Sequence, residues 1–374
     1  MGRYLTAGHA LSLGLLLGGL AGCGVIVLTP PPTVASPTPS STSVPTVVVE
    51  VTSEPTTPTA TPSPTEEVTT EPAPAHALTQ DTVHGLVELR SFEVSPSVVL
   101  VSQFEPQGHR IATYGYDKIV RIFDGDTGDM LYELRGHGDY GYAAAWSPDG
   151  TRLASGGDYT ARVWDTTNGD LLNTTNVHSW GFRIAWHPDG DRFAIVGEPA
   201  RRLEIIGADG GRIASVEPSE HALWAVAYSP DGALLAVSDT ELHVYVYDAE
   251  TLDPIKDLTT GGTVWDLEFS PDAGLLAACD DGGRVEIWET ENWSRTLTEQ
   301  AHQVDCSDGV FSPAGDLYFS VGDDGKLIAW NPTSGAQLAV VPVGRFIWWV
   351  SMSSDSELIA LGMDDGTVRI LGLP

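Results

Sequence analysis

One short motif recurs through residues 86–374 at a nearly constant interval. An aromatic or apolar residue, followed in most copies by Ser-Pro-Asp-Gly or a close variant, begins at positions 104, 146, 186, 228, 269, 311 and 352. A second, mostly aromatic series lies later in each unit, at positions 123, 164, 206, 247, 288, 330 and 371. A fixed period of about 41 residues indicates an array of stacked supersecondary units, because one such unit cannot bury a core alone.

Each unit is predicted to form four short strands. In the second unit an apolar strand ends at Trp146, and Asp-Gly then makes a tight turn into the small apolar strand 153–156. A second turn leads to the strand 161–164, and the segment Asp165 to Leu172 leads into an outer strand. Four strands in about 40 residues are typical of a propeller blade, so seven units predict an all-β, seven-bladed β-propeller.

The two ends of the repeat array are expected to meet. The chain ends at Pro374, just after the third strand of the seventh unit, so that unit lacks an outer strand. The segment Leu86 to Arg90 resembles the outer strand at Leu131 to Arg135. We therefore expect the N-terminal strand to complete the last blade, which would leave no open sheet edge.

The residues Gly136-His137, Trp164-Asp165 and the Ser-Pro-Asp-Gly turns resemble the WD40-repeat family over residues 86–374. The resemblance implies a fold that mostly assembles proteins, with a buried His, Ser or Thr, Asp and Trp network in each blade. This set is complete in only two blades, as His137, Ser155, Asp158 and Trp164, and as His302, Ser320, Asp323 and Trp330. The other copies are imperfect, so we expect the blades to differ in stability.

The same resemblance implies a partner-binding rim at the loops that enter the first strand of each blade. Family contacts involve the positions four and six residues before the aromatic that ends this strand. Five blades carry bulky aromatics there, namely Tyr140, Tyr142, Trp180, Phe182, Trp224, Trp265, Phe346 and Trp348. Blade one carries Val98 and Leu100, and blade six carries Asp305 and Ser307. For any single ring the periodicity favours packing between blades, whereas a cluster of exposed rings is typical of binding surfaces.

The N-terminal region is predicted to tether the propeller outside the cytoplasm. The apolar run Ala10 to Leu28 contains Leu20-Ala21-Gly22-Cys23, which resembles the lipobox of bacterial lipoproteins. The resemblance implies a signal peptide at 1–22 and a lipid, such as palmitate, on Cys23. The alternative is an uncleaved transmembrane anchor, because the apolar run is about long enough to cross a membrane as a helix. Residues 23–80 are then a disordered linker rich in Pro, Thr and Ser.

The charge of the chain restricts its partners. The chain has 51 acidic against 19 basic residues, a net charge of -32, which disfavours nucleic acid because phosphate binding needs clustered Lys and Arg.

Two cysteines lie within the repeat array. Cys279 and Cys306 lie on predicted strands of neighbouring units, and we interpret them as small buried residues. A disulfide between them stays open at this point, because the sequence does not set their separation.

We find no motif that carries catalysis, and we predict that the protein is not an enzyme. The sequence contains no Gly-x-Ser-x-Gly nucleophile elbow and no His-Glu-x-x-His metalloprotease motif. It also contains no glycine-rich phosphate-binding loop and no Cys-x-x-Cys pair. We expect no cofactor and no metal, and we interpret Asp124 to Asp129 as a hairpin turn rather than a calcium loop. The leading hypothesis is a surface-tethered, monomeric protein-recognition module. The alternatives are a glycan- or cell-wall-binding lipoprotein and an extracytoplasmic propeller enzyme.

Overall fold

A computed structural model describes residues 77–374, which form seven four-stranded antiparallel sheets. The predicted signal peptide 1–22, the lipidated Cys23 and the linker up to residue 76 lie outside the described residues. No helix within residues 77–374 has the length and hydropathy that a membrane crossing requires. The seven-bladed propeller predicted from the repeat is confirmed.

The strands follow one another blade by blade after a 3-10 helix at Val83–Gly85 and strand β1 at Val87–Glu93. Blade one contains β2 Val99–Phe104, β3 Arg110–Gly115, β4 Val120–Asp124 and β5 Met130–Leu134. Blade two contains β6 Ala143–Trp146, β7 Arg152–Gly157, β8 Thr160–Asp165 and β9 Leu171–Asn176. Blade three contains β10 Arg183–Trp186, β11 Arg192–Val196, β12 Leu203–Gly207 and β13 Arg212–Val216.

The remaining four blades repeat this order. Blade four contains β14 Leu223–Tyr228, β15 Leu234–Asp239, β16 His243–Asp248 and β17 Pro254–Thr259. Blade five contains β18 Val264–Phe269, β19 Leu275–Asp280, β20 Arg284–Glu289 and β21 Arg295–Gln300. Blade six contains β22 Cys306–Phe311, β23 Tyr318–Gly322, β24 Lys326–Trp330 and β25 Gln337–Pro342. Blade seven contains β26 Ile347–Met352, β27 Leu358–Met363, β28 Thr367–Gly372 and, as its outer strand, β1.

The ring closes as the sequence predicts. Strand β1 pairs antiparallel with β28, with Val87 opposite Gly372 and Phe92 opposite Val368. The first strand of the domain thus completes the last blade, so the sheet of blade seven has its full set of four strands. Separating the ends would break the backbone hydrogen bonds between β1 and β28.

The Ser-Pro-Asp-Gly motif explains why each blade reverses direction at the same place. In blade two the Ser147 hydroxyl donates to the Asp149 carboxylate at 2.5 Å, and Gly150 N donates to the Ser147 carbonyl at 2.8 Å. Gly150 has a φ of +69°, a conformation that favours glycine. The motif therefore fixes a tight turn between the first and second strands.

The alternation of strand direction defines two faces of the propeller. The segments that enter each first strand and the turns between the second and third strands lie together, and we call this the upper face. The Ser-Pro-Asp-Gly turns and the turns between the third and fourth strands lie at the lower face. The predicted rim positions are therefore all on the upper face.

A short segment before β1 packs on the lower face. Leu78 is buried against blades six and seven, and its amide donates to the carbonyl of Ser356 at 2.8 Å. Gln80 Nε2 donates to the carbonyl of Asp316, and Gln80 Oε1 accepts from Asn331 Nδ2, both at 2.9 Å. Packing thus begins before residue 80, where composition placed the end of the linker. The first described residues therefore pack on the lower face.

Side chains of the first and second strands join neighbouring blades. The indole of Trp146 donates to the carbonyl of Gln103 at 3.0 Å, and that of Trp186 donates to the carbonyl of Ala145 at 2.9 Å. Cys279 of blade five and Cys306 of blade six are both fully buried and form a disulfide, with Cα atoms 5.1 Å apart. The two cysteines are therefore a covalent link between blades rather than separate buried thiols.

Candidate functional site

The hydrogen-bond network of blade two has the residues that the family resemblance implies. His137 lies 2.9 Å from Asp158 through Nδ1 and 2.8 Å from Ser155 Oγ through Nε2, and the Trp164 indole donates to the same Oγ at 2.8 Å. Because the Asp158 carboxylate only accepts, Nδ1–H of the neutral ring donates to it, and the bare Nε2 accepts from the Ser155 hydroxyl. Burial lowers the pKa of His137 to about 4, so the ring is neutral at pH 7.

In blade six the acidic member of the network is Asp324, and the assignment of Asp323 from the sequence is wrong. His302 Nδ1 lies 2.8 Å from Asp324, while Nε2 and the Trp330 indole each lie 3.0 Å from Ser320 Oγ. The turn after β23 is one residue longer than its counterpart in blade two, so counting from the serine selects the wrong carboxylate. Counted back from the tryptophan, both network aspartates stand six residues earlier.

The rim aromatics of blades two to five form a continuous row around the channel mouth. Four rings, one per blade, make up the inner arc: Tyr142, Phe182, Trp224 and Trp265. The ring centroids of Tyr142 and Phe182 are 5.0 Å apart. Phe182 stacks nearly parallel on Trp224 at 4.5 Å, and Trp224 meets Trp265 edge-to-face, also at 4.5 Å. These are the separations that aromatic pairs favour. Each ring of the arc therefore supports the next across a blade boundary.

A second row lies beside the inner arc over blades one to three. Tyr140 contacts Tyr142, Trp180 and Tyr116, with ring centroids 5.7, 5.9 and 5.2 Å apart. Tyr159 packs 5.9 Å from the ring of Trp180. Sequence reasoning missed Tyr116 and Tyr159, which lie in turns between second and third strands. Because those turns share the upper face, screening them for aromatic residues would have found both.

The other predicted rim positions flank this aromatic surface. Phe346 and Trp348 of blade seven contact each other, with ring centroids 4.4 Å apart. Leu100 of blade one is buried, and Asp305 of blade six is only partly exposed. Most rings of the surface are partly exposed, whereas Phe182 is 8% exposed. We call the inner arc, the second row and the blade-seven pair together the aromatic belt.

A charged cluster that the repeat analysis missed crosses the channel below the belt. Arg183 of blade three reaches Asp308 of blade six at 2.9 Å and Asp266 of blade five at 3.5 Å. Its guanidinium carbon lies 4.1 Å from the ring centre of Trp349 in blade seven. Its Nε also donates to the carbonyl of Trp265 at 3.3 Å. One side chain of blade three thus contacts residues of blades five, six and seven.

The carboxylates of this cluster are held by the next blade. Asp308 accepts from Val350 N at 2.8 Å, and Asp266 accepts from Gly309 N at 3.2 Å. Burial raises the pKa of both, well above the usual range for Asp308, although Arg183 opposes the shift. Burial and the nearby aspartates also raise the pKa of Glu268. These three acids accept hydrogen bonds from backbone amides of the neighbouring blade and lie on the first strands of blades five and six.

Comparison with known proteins agrees with this architecture. Residues 98–372 match the family model described as IFT122 first beta-propeller. The serine-threonine kinase receptor-associated proteins of Homo sapiens and Rattus norvegicus are 26% identical over 278 residues, covering 72% of this chain and 77% of theirs. WD repeat-containing protein 1 of Bos taurus is 40% identical over 81 residues, covering 21% of this chain and 13% of that protein. The chain belongs to the WD40-type β-propeller family.

Proposed function

We propose that this propeller is a non-catalytic recognition module that docks a protein partner on the aromatic belt. We further propose that it works outside the cytoplasm, held at the cell membrane by a lipid on Cys23. The N-terminal transmembrane anchor is the alternative form of the tether. WD-repeat propellers typically act as protein-interaction scaffolds, and the belt gives this chain a specific surface for that role.

The observation that carries the proposal is the continuity of the rings. Six aromatic side chains from four consecutive blades touch in sequence around one channel mouth. Clustered Trp and Tyr are the residues that most often dominate protein interfaces, because they bring a large contact area with few rotatable bonds. Their mutual packing holds the rings in place before a partner arrives, which reduces the entropy lost on binding.

The position of the N-terminal segment supports the tethering proposal. Leu78 and Gln80, near the start of the described residues, dock on the lower face, opposite the belt. A tether at that face leaves the belt open to a partner. The buried disulfide between blades five and six also suits an oxidising compartment outside the cytoplasm.

The channel cluster does not favour the enzyme alternative. Catalytic acids need access to a substrate, whereas Asp266 and Asp308 are buried and bonded to Arg183 and to backbone amides. Their raised pKa values have a structural cause in burial. We therefore interpret the cluster as the support under the belt, and glycan binding remains the second candidate for the belt itself.

The test is an in-cell crosslinking pull-down of the full chain. One variant removes four belt rings by alanine substitution, at Trp180, Trp224, Trp265 and Trp348. A matched control removes four exposed apolar side chains on outer strands, namely Leu172, Ile213, Ile255 and Val340, also by alanine. Circular dichroism and melting temperature establish that both variants keep the propeller fold.

We expect one or more proteins to crosslink to the wild type and to the control, and to disappear with the belt variant. Proteins captured equally by all three would refute protein docking on the belt. In that case, retention on cell-wall glycan that the belt variant alone loses would favour the glycan-binding alternative.

A further inference from the structure

Two carboxylates interrupt the aromatic belt between blades five and six. Asp305 occupies the rim position of blade six, where most other blades carry a ring. Asp281 lies in the turn between β19 and β20, and its Oδ1 accepts from Thr263 N at 2.9 Å. Thr263 stands two residues before Trp265, the last ring of the inner arc. We call Asp281 and Asp305 the acidic gap.

Among the described residues, the acidic gap has no basic partner of the kind that other carboxylates of the upper face have. The turn aspartates of four blades have a basic partner: Asp117 with Arg121 at 2.5 Å, Asp158 with Arg162 at 3.2 Å, Asp324 with Lys326 at 2.8 Å, and Asp364 with Arg345 at 3.0 Å. Within residues 77–374 neither Asp281 nor Asp305 forms an ion pair. The nearby Arg284 is directed to Asp280, at 3.6 Å, and to the carbonyl of Gly261.

The negative charges around the acidic gap also act on one another. Partial burial raises the pKa of Asp305, and the charges of Asp281 and Asp280 raise it further. Asp280 itself is buried, with a pKa that burial also raises. A cation placed between Asp281 and Asp305 would relieve this repulsion, and the protein supplies none from residues 77–374.

We propose that the partner inserts a lysine or arginine side chain into the acidic gap while a neighbouring apolar side chain packs on Trp265 and Trp224. This inference rests on the proposed function and adds the chemistry of the partner. A basic group there gains the charge of two carboxylates, which favours a cation over a neutral group. The net charge of -32 also attracts a basic segment over a longer range.

The probes are three fluorescent eight-residue peptides. In the first, Lys and Arg alternate with Leu and Trp; in the second, Glu replaces the basic residues; in the third, Ser replaces the apolar ones. Binding is followed by fluorescence anisotropy with the full chain in nanodiscs of uncharged lipid. The test variant combines Asp281→Asn with Asp305→Asn, because asparagine can still accept the hydrogen bond from Thr263.

Two further variants separate the possible outcomes. A charge-matched control combines Asp170→Asn with Glu299→Gln, two exposed acids whose side chains make no bond within the described residues. Trp224→Ala tests the belt itself. We expect the basic apolar peptide alone to bind, about tenfold more weakly to the Asn pair and with unchanged affinity to the charge-matched control.

The two proposals fail in different ways. Equal binding of the basic and acidic peptides would refute the insertion of a basic side chain into the acidic gap. The same conclusion follows if the Asn pair has no effect while Trp224→Ala abolishes binding, and docking on the belt then still holds. If the Asn pair weakens binding and Trp224→Ala does not, the cation binds without the belt, and the combined site is refuted. If the basic apolar peptide does not bind at all, the inference is overturned.

Discussion

Arg183 provides the sharpest test of how the channel is held together, because its replacement by methionine removes a charge without opening a large void. In the wild type the guanidinium lies 2.9 Å from Asp308 and 3.5 Å from Asp266. Arg183→Met leaves two buried carboxylates without a cation. Removing one partner of a buried ion pair costs about 3–5 kcal/mol, because the other charge is left buried without compensation. We therefore expect the free energy of unfolding to fall by about that amount at pH 7.

The loss should depend on pH in a defined direction. Both carboxyl groups have a raised pKa in the folded protein, so the folded state binds more protons than the unfolded state at mildly acidic pH. Without Arg183 these pKa values rise further. The stability of the variant should therefore increase as pH falls from 8 towards 5, and the difference from the wild type should shrink.

Denaturation in urea, followed by tryptophan fluorescence of the full chain at pH 5, 6, 7 and 8, measures this effect. Adding Asp266→Asn and Asp308→Asn to Arg183→Met should restore most of the lost stability and remove its pH dependence. A loss below about 1 kcal/mol at pH 7, or a larger loss that is constant between pH 5 and 8, would refute the role given to Arg183.

Three other predictions concern single contacts. Because burial raises the pKa of Glu268, its ionisation opposes folding above the unfolded pKa; Glu268→Gln should therefore add about 1 kcal/mol of stability at pH 8 and nothing near pH 4, as urea titrations at both values would establish. In blade six, Asp324→Asn should cost about 1–3 kcal/mol and Asp323→Asn clearly less, and equal losses in urea denaturation would contradict the assignment of Asp324 to the network. Replacing Cys279 and Cys306 together by alanine should cost about 3 kcal/mol, because the bond closes a loop of 27 residues. Because the disulfide leaves no free thiol at Cys279 or Cys306, an alkylating reagent added to the unfolded wild type without reductant should modify neither residue, as intact mass would show.

The repeat predicts most of the fold because every blade solves the same packing problem with the same residues. The turn motif, the interblade tryptophans and the completing strand β1 all follow from periodic positions. The error at Asp323 has the same origin, since a turn one residue longer shifts the count between two strands. Register within a turn depends on local backbone geometry, which a periodic pattern does not report.

The channel cluster was missed because it breaks the periodicity. Its charged residues stand three positions before the aromatic that ends the first strand, where most blades carry an apolar residue. Charges occur there only as Arg183, Asp266 and Asp308. Blade three is not a sequence neighbour of blade five or blade six, so the closing of the ring brings Arg183 to the two aspartates. Opposite charges at one repeat position were the available signal.

Docking on the belt is tested most directly by site-specific photo-crosslinking in living cells. A photoreactive phenylalanine analogue replaces Tyr140 on the belt or, in a second strain, Ile213, an outer-strand residue that is 58% exposed. We expect Tyr140 to yield a discrete crosslinked protein that Ile213 does not. Crosslinks from Ile213 alone, or the same product from both positions, would contradict the assignment of the belt as the docking surface.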